Sequence, residues 1–191
     1  MHFQDLALCK YGRGLHADEW RVPLRAVGWL EHPHTYSRGV VPGDVRARLL
    51  RLRECFCKAF HLLAYFGVHS CSLCKAATGQ PAAPLYRSSM NIFVPGESCV
   101  YAAPGAIDHY FDLHSYCPPE EFCAAVLRCP DCDTPEYLEA LRRSNRGSIP
   151  FIQDSELPAQ PPSVQTLGTG EGYESIPIKI RQAKPGRGNC I

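Results

Sequence analysis

Cys71 and Cys74 form a Cys-x-x-Cys pair, and His69 lies two residues before it. A tight turn with this spacing can aim two thiolates at one ion, and protein-bound zinc takes four ligands, mainly thiolates and imidazoles, in a tetrahedron. His69 could join the pair directly in a His-x-Cys-x-x-Cys cluster. The segment therefore predicts a zinc site whose remaining ligands come from elsewhere in the chain.

Two downstream histidines are candidates for those remaining positions. His109 and His114 are separated by four residues, which falls within the three-to-five spacing of many zinc ligand pairs. Residues five apart do not share a face of a regular helix. Joint ligation by both histidines is therefore expected to need a break in the helix between them, and the nearby segment 115–118, which ends in proline, favours such a break.

A second cysteine pair, Cys129 and Cys132, has the same internal spacing and could supply two thiolates instead. Its long separation from the first pair neither supports nor excludes an all-thiolate site. From the residues alone, His69, His109 and His114 compete with this pair to complete the coordination shell. The predicted metal ligands are His69, Cys71, Cys74, His109 and His114, with Cys129 and Cys132 as the alternative.

A redox role is the main alternative for the Cys71–Cys74 pair. A thioredoxin-like pair is expected at the start of a helix that follows a strand. Here the pair follows a predicted helix, and Gly79, Pro81 and Pro84 come after it, which favours a metal-binding turn. The chain has 11 cysteines, an odd number, so they cannot all form disulfides within one chain. Most of the others are expected to be small buried residues.

Hydrophobic periodicity and capping residues predict the elements that would position these ligands. Helices are expected over residues 44–58, 104–113, 118–128 and 135–143, and short strands over 24–30, 91–95 and 98–102. The cysteine-rich segment 67–79 is interpreted as a loop. The fold class is α+β: a small zinc-stabilised domain with a few short antiparallel strands and three to four helices.

The character of the sequence changes after residue 143. Proline, glycine and polar residues dominate from Ser144 to the end, and such a composition buries too little apolar surface to offset chain entropy. We therefore expect a zinc-binding α+β domain over 1–143 and a tail over 144–191 that is mobile or packed peripherally.

The overall charge and hydropathy narrow the range of partners. Lys and Arg total 20 against 19 Asp and Glu, for a net charge of +1, which gives no broad cationic surface for nucleic acid. No apolar run reaches the roughly 18 residues of a membrane span. The amino-terminal residues also lack the pattern of a secretion signal. The sequence therefore predicts a soluble cytoplasmic protein that does not bind a membrane, and its charge balance argues against nucleic acid as a partner.

Several short motifs resemble those of a family of small bacterial proteins that constitute a domain of unknown function. The resemblance covers about residues 1–141 and rests on Met1-His2-Phe3-Gln4-Asp5-Leu6, Gly28-Trp29-Leu30, the His69-x-Cys71-x-x-Cys74 element, Val100-Tyr101-Ala102-Ala103-Pro104, His109-Tyr110, His114 and Pro118-Pro119-Glu120-Glu121-Phe122. It implies domain limits and a choice of site residues, but no activity.

Three functions compete at this point. The leading hypothesis is a non-enzymatic module with a structural zinc ion that binds another protein, with no residue assigned a catalytic role. The first alternative is a metal-dependent hydrolase with an open zinc position near His109 and His114 and a base among Asp108, Asp112 and Glu120. The second is a nucleic-acid-binding zinc protein that uses its basic tail. The sequence indicates neither the biological process nor the oligomeric state.

Overall fold

The computed structural model describes residues 2–9, 20–59, 71–79 and 90–148, with the backbone alone for 56–59. Its elements, in chain order, are β1 (Leu24–Ala26), α1 (Gly43–Ala59), α2 (Ser72–Thr78), β2 (Asn91–Pro95), β3 (Val100–Pro104), α3 (Ile107–His114), α4 (Glu120–Arg128) and α5 (Pro135–Ser144). The α+β class is confirmed, and the described residues form five helices and three strands.

The sheet has the strand order β1-β3-β2, with β3 at its centre. β2 runs antiparallel to β3 and pairs Phe93 with Ala102, whereas β1 runs parallel to β3 and pairs Arg25 with Tyr101. The sheet is therefore mixed, because α1 and α2 lie between β1 and β3 in the chain and a long connection permits parallel pairing. Every residue of β3 is buried, which explains its run of apolar and small side chains.

Both edges of the sheet are covered. On the β1 side, Leu8 forms an antiparallel bridge with Arg25, and Cys9 N–H donates to the Leu24 carbonyl at 2.7 Å. On the β2 side, α5 packs against the strand, and the buried Tyr137 hydroxyl donates to the Phe93 carbonyl at 2.8 Å. The three strands are thus enclosed by the amino-terminal segment and the last described helix.

The long helix α1 packs against α3, α4 and β2. Val45, Leu49, Leu52 and Cys55 recur at three- or four-residue spacing and are at most 2% exposed, so they form the inner stripe of an amphipathic helix. A helix of 17 residues with this continuous buried stripe is held by ordinary apolar packing.

The amino-terminal motif fastens the end of β1 to the exit of α3. One carboxylate oxygen of Asp5 accepts the Gly28 N–H at 2.9 Å and the Tyr116 hydroxyl at 2.8 Å. Gly28 has φ +73°, and a Cβ there would lie 2.8 Å from the Ile107 side chain. Only glycine meets both conditions, since it has no side chain and tolerates the left-handed region. The two sequence motifs that contain Asp5 and Gly28 therefore have a structural role.

The structure corrects the prediction for one segment, and another predicted segment lies largely outside the described residues. The segment predicted as a loop over 67–79 contains the helix α2, which is capped by Cys71 at its start and by Gly79, at φ 71°, at its end. Seven residues are too few to show a clear helical period, so the pattern did not reveal it. The proposed tail lies outside the described residues from 149 onward. Among the described residues, no helix has the length and apolarity needed to cross a membrane.

Candidate metal centre

The start of α2 positions the two cysteines of the first pair. Cys71 is the N-cap residue, and its sulfur accepts the Cys74 N–H at 3.5 Å. The Cys-x-x-Cys spacing thus brings both thiols to one end of a single helical turn. His32 N–H donates to the Ser72 hydroxyl at 2.9 Å, which ties the segment before α1 to the same turn. The expectation that this pair does not begin a helix was wrong.

The helix α3 supplies both histidines without a break between them, which also corrects the sequence expectation. It continues through His114 and ends at Ser115, whose left-handed conformation (φ 52°) lets its N–H donate to the Tyr110 carbonyl. His109 and His114 start about 140° apart around the helix axis. Helical side chains lean towards the amino terminus, however, so His114 in the last turn can reach back towards His109. Their rings are arranged edge to face, with the ring centroids 5.1 Å apart.

Four side chains converge between these two helix ends, and we call them the cysteine–histidine cluster: Cys71, Cys74, His109 and His114. Their ligand atoms all lie within 4.8 Å of one another. His114 Nε2 is 3.3 Å from each of the two sulfurs, and Cys74 Sγ is also 3.3 Å from His109 Nε2. Sulfur and nitrogen on one tetrahedral zinc would be about 3.6 Å apart. The cluster therefore has the dimensions of a metal site.

Burial sets the protonation of the cluster in the metal-free protein. Desolvation, followed by the neighbouring Cys71, raises the pKa of Cys74 to about 11. Desolvation lowers the pKa of His109, with His114 as the next cause, and lowers that of His114, with Arg38 as the next cause. The imidazoles are thus kept neutral, as a metal ligand must be, whereas an incoming metal ion must displace the thiol protons.

Two of the three acids proposed as bases for hydrolysis form ion pairs. Asp108 forms an ion pair with Arg53 at 2.6 Å, and Asp112 forms one with Arg46 at 2.5 Å. Both arginines belong to α1, so these pairs join α1 to α3. Glu120 is exposed in the first turn of α4, where an acid is stabilised by the positive end of the helix.

The remaining sequence candidates lie elsewhere. His69 falls outside the described residues. Cys129 and Cys132 follow α4 and do not join the cysteine–histidine cluster; Cys132 Sγ instead lies 3.7 Å from the Leu52 carbonyl of α1. Cys55 of α1, which no sequence argument singled out, lies beside Cys132. A cysteine on the buried stripe of a helix looks like any small apolar residue, so nothing in the pattern marked it.

An α+β fold with a Cys2His2 cluster that could hold a metal ion defines the class of this protein. The chain belongs to the family described as Domain of unknown function (DUF7919), whose model matches residues 1–127. The matched range contains all four residues of the cysteine–histidine cluster and ends before Cys129. Searches of curated proteins and of solved structures returned no match.

Proposed function

We propose that the cysteine–histidine cluster binds one zinc ion and that this ion is structural. The observation that carries the proposal is the sharing of contacts: His114 Nε2 is 3.3 Å from both sulfurs, and Cys74 Sγ is 3.3 Å from both imidazoles. A neutral imidazole nitrogen offers one lone pair or one proton, so His114 Nε2 cannot make a full hydrogen bond to both sulfurs, whereas one ion can satisfy all three contacts. Two thiolates and two imidazoles in a tetrahedral arrangement are a preferred donor set for zinc.

A structural role fits the donor count better than hydrolysis does. Four protein ligands fill a tetrahedral shell, whereas a catalytic zinc keeps a position for water. A hydrolase would also need a free base beside the metal, and Asp108 and Asp112 are paired with arginines of α1. The arrangement supports a closed site, and so we assign no catalytic residue.

The ion would serve to hold α2 against α3. A seven-residue helix is not stable alone, because nucleation costs more than so few hydrogen bonds return. In α2, Leu73 is buried and Cys71 caps the start, but all of the last four residues are exposed. Coordination by both cysteines would supply the attachment that this small apolar face does not.

We further propose that the stabilised domain is an interaction or accessory module whose partner is another protein. Val40 is 92% exposed and Leu113 is 55% exposed. They belong to two segments that meet where Gly39 N–H donates to the Ser115 carbonyl at 2.9 Å. Exposed apolar side chains next to a rigid, metal-held helix end favour contact with a protein surface over contact with nucleic acid.

Metal content tests the zinc assignment. Elemental analysis of the full chain, purified without chelator, should find zinc, and a Cys71→Ser/Cys74→Ser variant should contain about one equivalent less. Cobalt substitution should give the visible spectrum of a tetrahedral site in the wild type and lose that component in the variant. Less than about half an equivalent of zinc in the wild type, or an unchanged content in the variant, would refute the assignment.

Cys123→Ser provides the matched control for that experiment. Cys123 is a partly buried thiol of α4 whose sulfur lies 3.8 Å from the Pro118 carbonyl, and it does not belong to the cysteine–histidine cluster. Its substitution should leave the zinc content and the cobalt spectrum unchanged, so any general effect of losing a buried thiol is measured separately.

A further inference from the structure

A second group of potential ligands lies where α1 meets the turn that follows α4. Cys55 Sγ and one carboxylate oxygen each of Asp131 and Asp133 all lie within 4.8 Å of one another. Cys55 comes from the buried stripe of α1, and the two acids flank Cys132 in the turn between α4 and α5. None of these residues takes part in the cysteine–histidine cluster.

Cys132 brings a second thiol to the same place. After desolvation, the neighbouring Cys55 is the next cause that raises the pKa of Cys132, and both residues are 1% exposed. After desolvation, Asp133 is the next cause that raises the pKa of Cys55. We call Cys55, Asp131 and Asp133, together with the neighbouring Cys132, the cysteine–aspartate cluster; the ligand atoms of the first three lie within 4.8 Å of one another.

We propose that the cysteine–aspartate cluster is a second metal site, which takes a thiophilic divalent cation such as Zn²⁺ or Cd²⁺. Thiolate and carboxylate are both zinc ligands, and a site with two thiolates selects against Mg²⁺ and Ca²⁺, which require oxygen. The site would differ from the first in its donor set and in the helices that it joins.

The two arginines beside the cluster orient Asp131 and leave its carboxylate an acceptor position for a cation. Arg48 and Arg51 bind different oxygens of Asp131, at 2.5 and 3.1 Å, and so fix the orientation of its carboxylate. A carboxylate has about four acceptor positions, which leaves room for a metal ion. Two thiolates and two carboxylates would then be neutralised by one divalent cation and two guanidinium groups.

A disulfide between the two thiols is the competing explanation of their proximity. Thiol oxidation starts from a thiolate that an oxidant can reach. Both thiols are buried, and desolvation is the largest cause that raises the pKa of Cys55 and of Cys132. These conditions disfavour attack on an external disulfide. A metal ion, in contrast, can approach through the exposed Asp133 side and displace the protons as it binds.

Cadmium titration of the demetallated full-length chain tests the proposal, because thiolate-to-cadmium charge transfer in the ultraviolet reports each thiolate that binds. Wild type should take up two equivalents. Cys71→Ser/Cys74→Ser should keep the second, and Cys55→Ser should keep only the first. Asp133→Asn, on an exposed side chain, should weaken the second equivalent at least about tenfold, since even the loss of an outer-shell partner costs 10- to 100-fold in affinity.

Cys129→Ser is the matched control, because Cys129 is 4% exposed in the same turn but lies outside the cluster. It should retain both equivalents. Saturation of the wild type at one equivalent would overturn the proposal, as would an unchanged affinity for the second equivalent in Asp133→Asn, or a Cys55–Cys132 disulfide found by mass spectrometry after native purification. Because Asp133→Asn removes no buried group, a failure of Cys55→Ser to fold would not prevent the decision.

Discussion

The cysteine–histidine and cysteine–aspartate clusters differ in how much of the surrounding structure stands without a metal ion. The first joins α2, which has seven residues, to the end of α3. The second lies against α1, which has 17 residues and a continuous buried stripe. Its acid Asp131 is also neutralised by two arginines. A group of potential metal ligands can therefore lie in a region that depends on the ion for its stability, or in one that side-chain packing already stabilises.

Removal of metal from the cysteine–histidine cluster should have the largest effect on stability. Chelation, or Cys71→Ser/Cys74→Ser, should lower the free energy of unfolding by at least about 3 kcal/mol, because structural zinc binding is coupled to folding and is worth about 10–16 kcal/mol in small zinc domains. Urea unfolding followed by circular dichroism measures the change. Asp133→Asn should cost less than about 0.5 kcal/mol in the same assay; equal losses in the two variants would contradict the contrast between the clusters.

Substitution of Asp131 should come second. Its carboxylate holds Arg48 and Arg51, and Arg48 also donates to the Cys129 carbonyl through Nε at 3.1 Å, so the turn after α4 is tied to α1. Asp131→Asn in the metal-free protein should lower stability by about 1–2 kcal/mol, since the side chain is largely covered and its hydrogen bonds are charge-assisted.

Metal-free Asp133→Asn is the comparison for that measurement. A loss in Asp131→Asn that appears only when metal is bound would show that the ion, and not the arginines, holds the turn.

The two ion pairs between α1 and α3 should rank third and differ from each other. Arg53 and Asp108 are 33% and 16% exposed, whereas Arg46 and Asp112 are 45% and 28% exposed. Arg53→Met should therefore cost about 1 kcal/mol, and Arg46→Met between about 0 and 0.5 kcal/mol, because exposed pairs are screened by water. Thermal unfolding of both variants at low and high salt would check the order, and a larger loss for Arg46→Met would reverse our interpretation of α1 as a support for α3.

Asp5 should give the smallest effect, visible only as a dependence on pH. Desolvation raises its pKa above 3.8, and the hydrogen bonds from Gly28 and Tyr116 offset this only in part. The folded state thus holds the Asp5 proton more tightly than the unfolded state, and the free energy of unfolding falls as pH rises from about 3.8 through the folded pKa.

Asp5→Asn keeps an acceptor oxygen and removes this titration. The stability of the variant relative to wild type should therefore increase with pH across that window, as measured by urea unfolding of both proteins at matched metal content. A difference that does not change with pH would show that Asp5 ionises normally in the folded protein.

The sequence could identify the cysteine–histidine cluster because its signals are local. Cys71-x-x-Cys74 and the spacing of His109 and His114 are readable from residue types alone, and the structure brings these four together. That they bind a metal stays a prediction. Cys55 carried no such signal, since its partners lie about 75 residues further along the chain and its position on α1 matches an apolar pattern.

The prediction of the fold succeeded where the signals are local in the sequence and failed where they are not. The bounds of α1, α4 and α5 agree with their periodicity and capping residues to within about two residues, because those signals are local. The parallel pairing of β1 with β3 depends on the connection through α1 and α2, which no short pattern encodes. The helix α2 was missed because its seven residues show no clear helical period, and the residues of α3 that it contacts are distant in the chain.

The covered edges of the sheet bear on aggregation. Open strand edges invite pairing with other chains, and here the residues around Leu8 cover β1 while α5 covers β2. α5 begins at Pro135, beyond the family match that ends at residue 127. A polypeptide cut at that boundary would retain all four residues of the cysteine–histidine cluster and still expose β2 as a template for intermolecular strand addition. Residues outside the shared family region thus protect the sheet inside it.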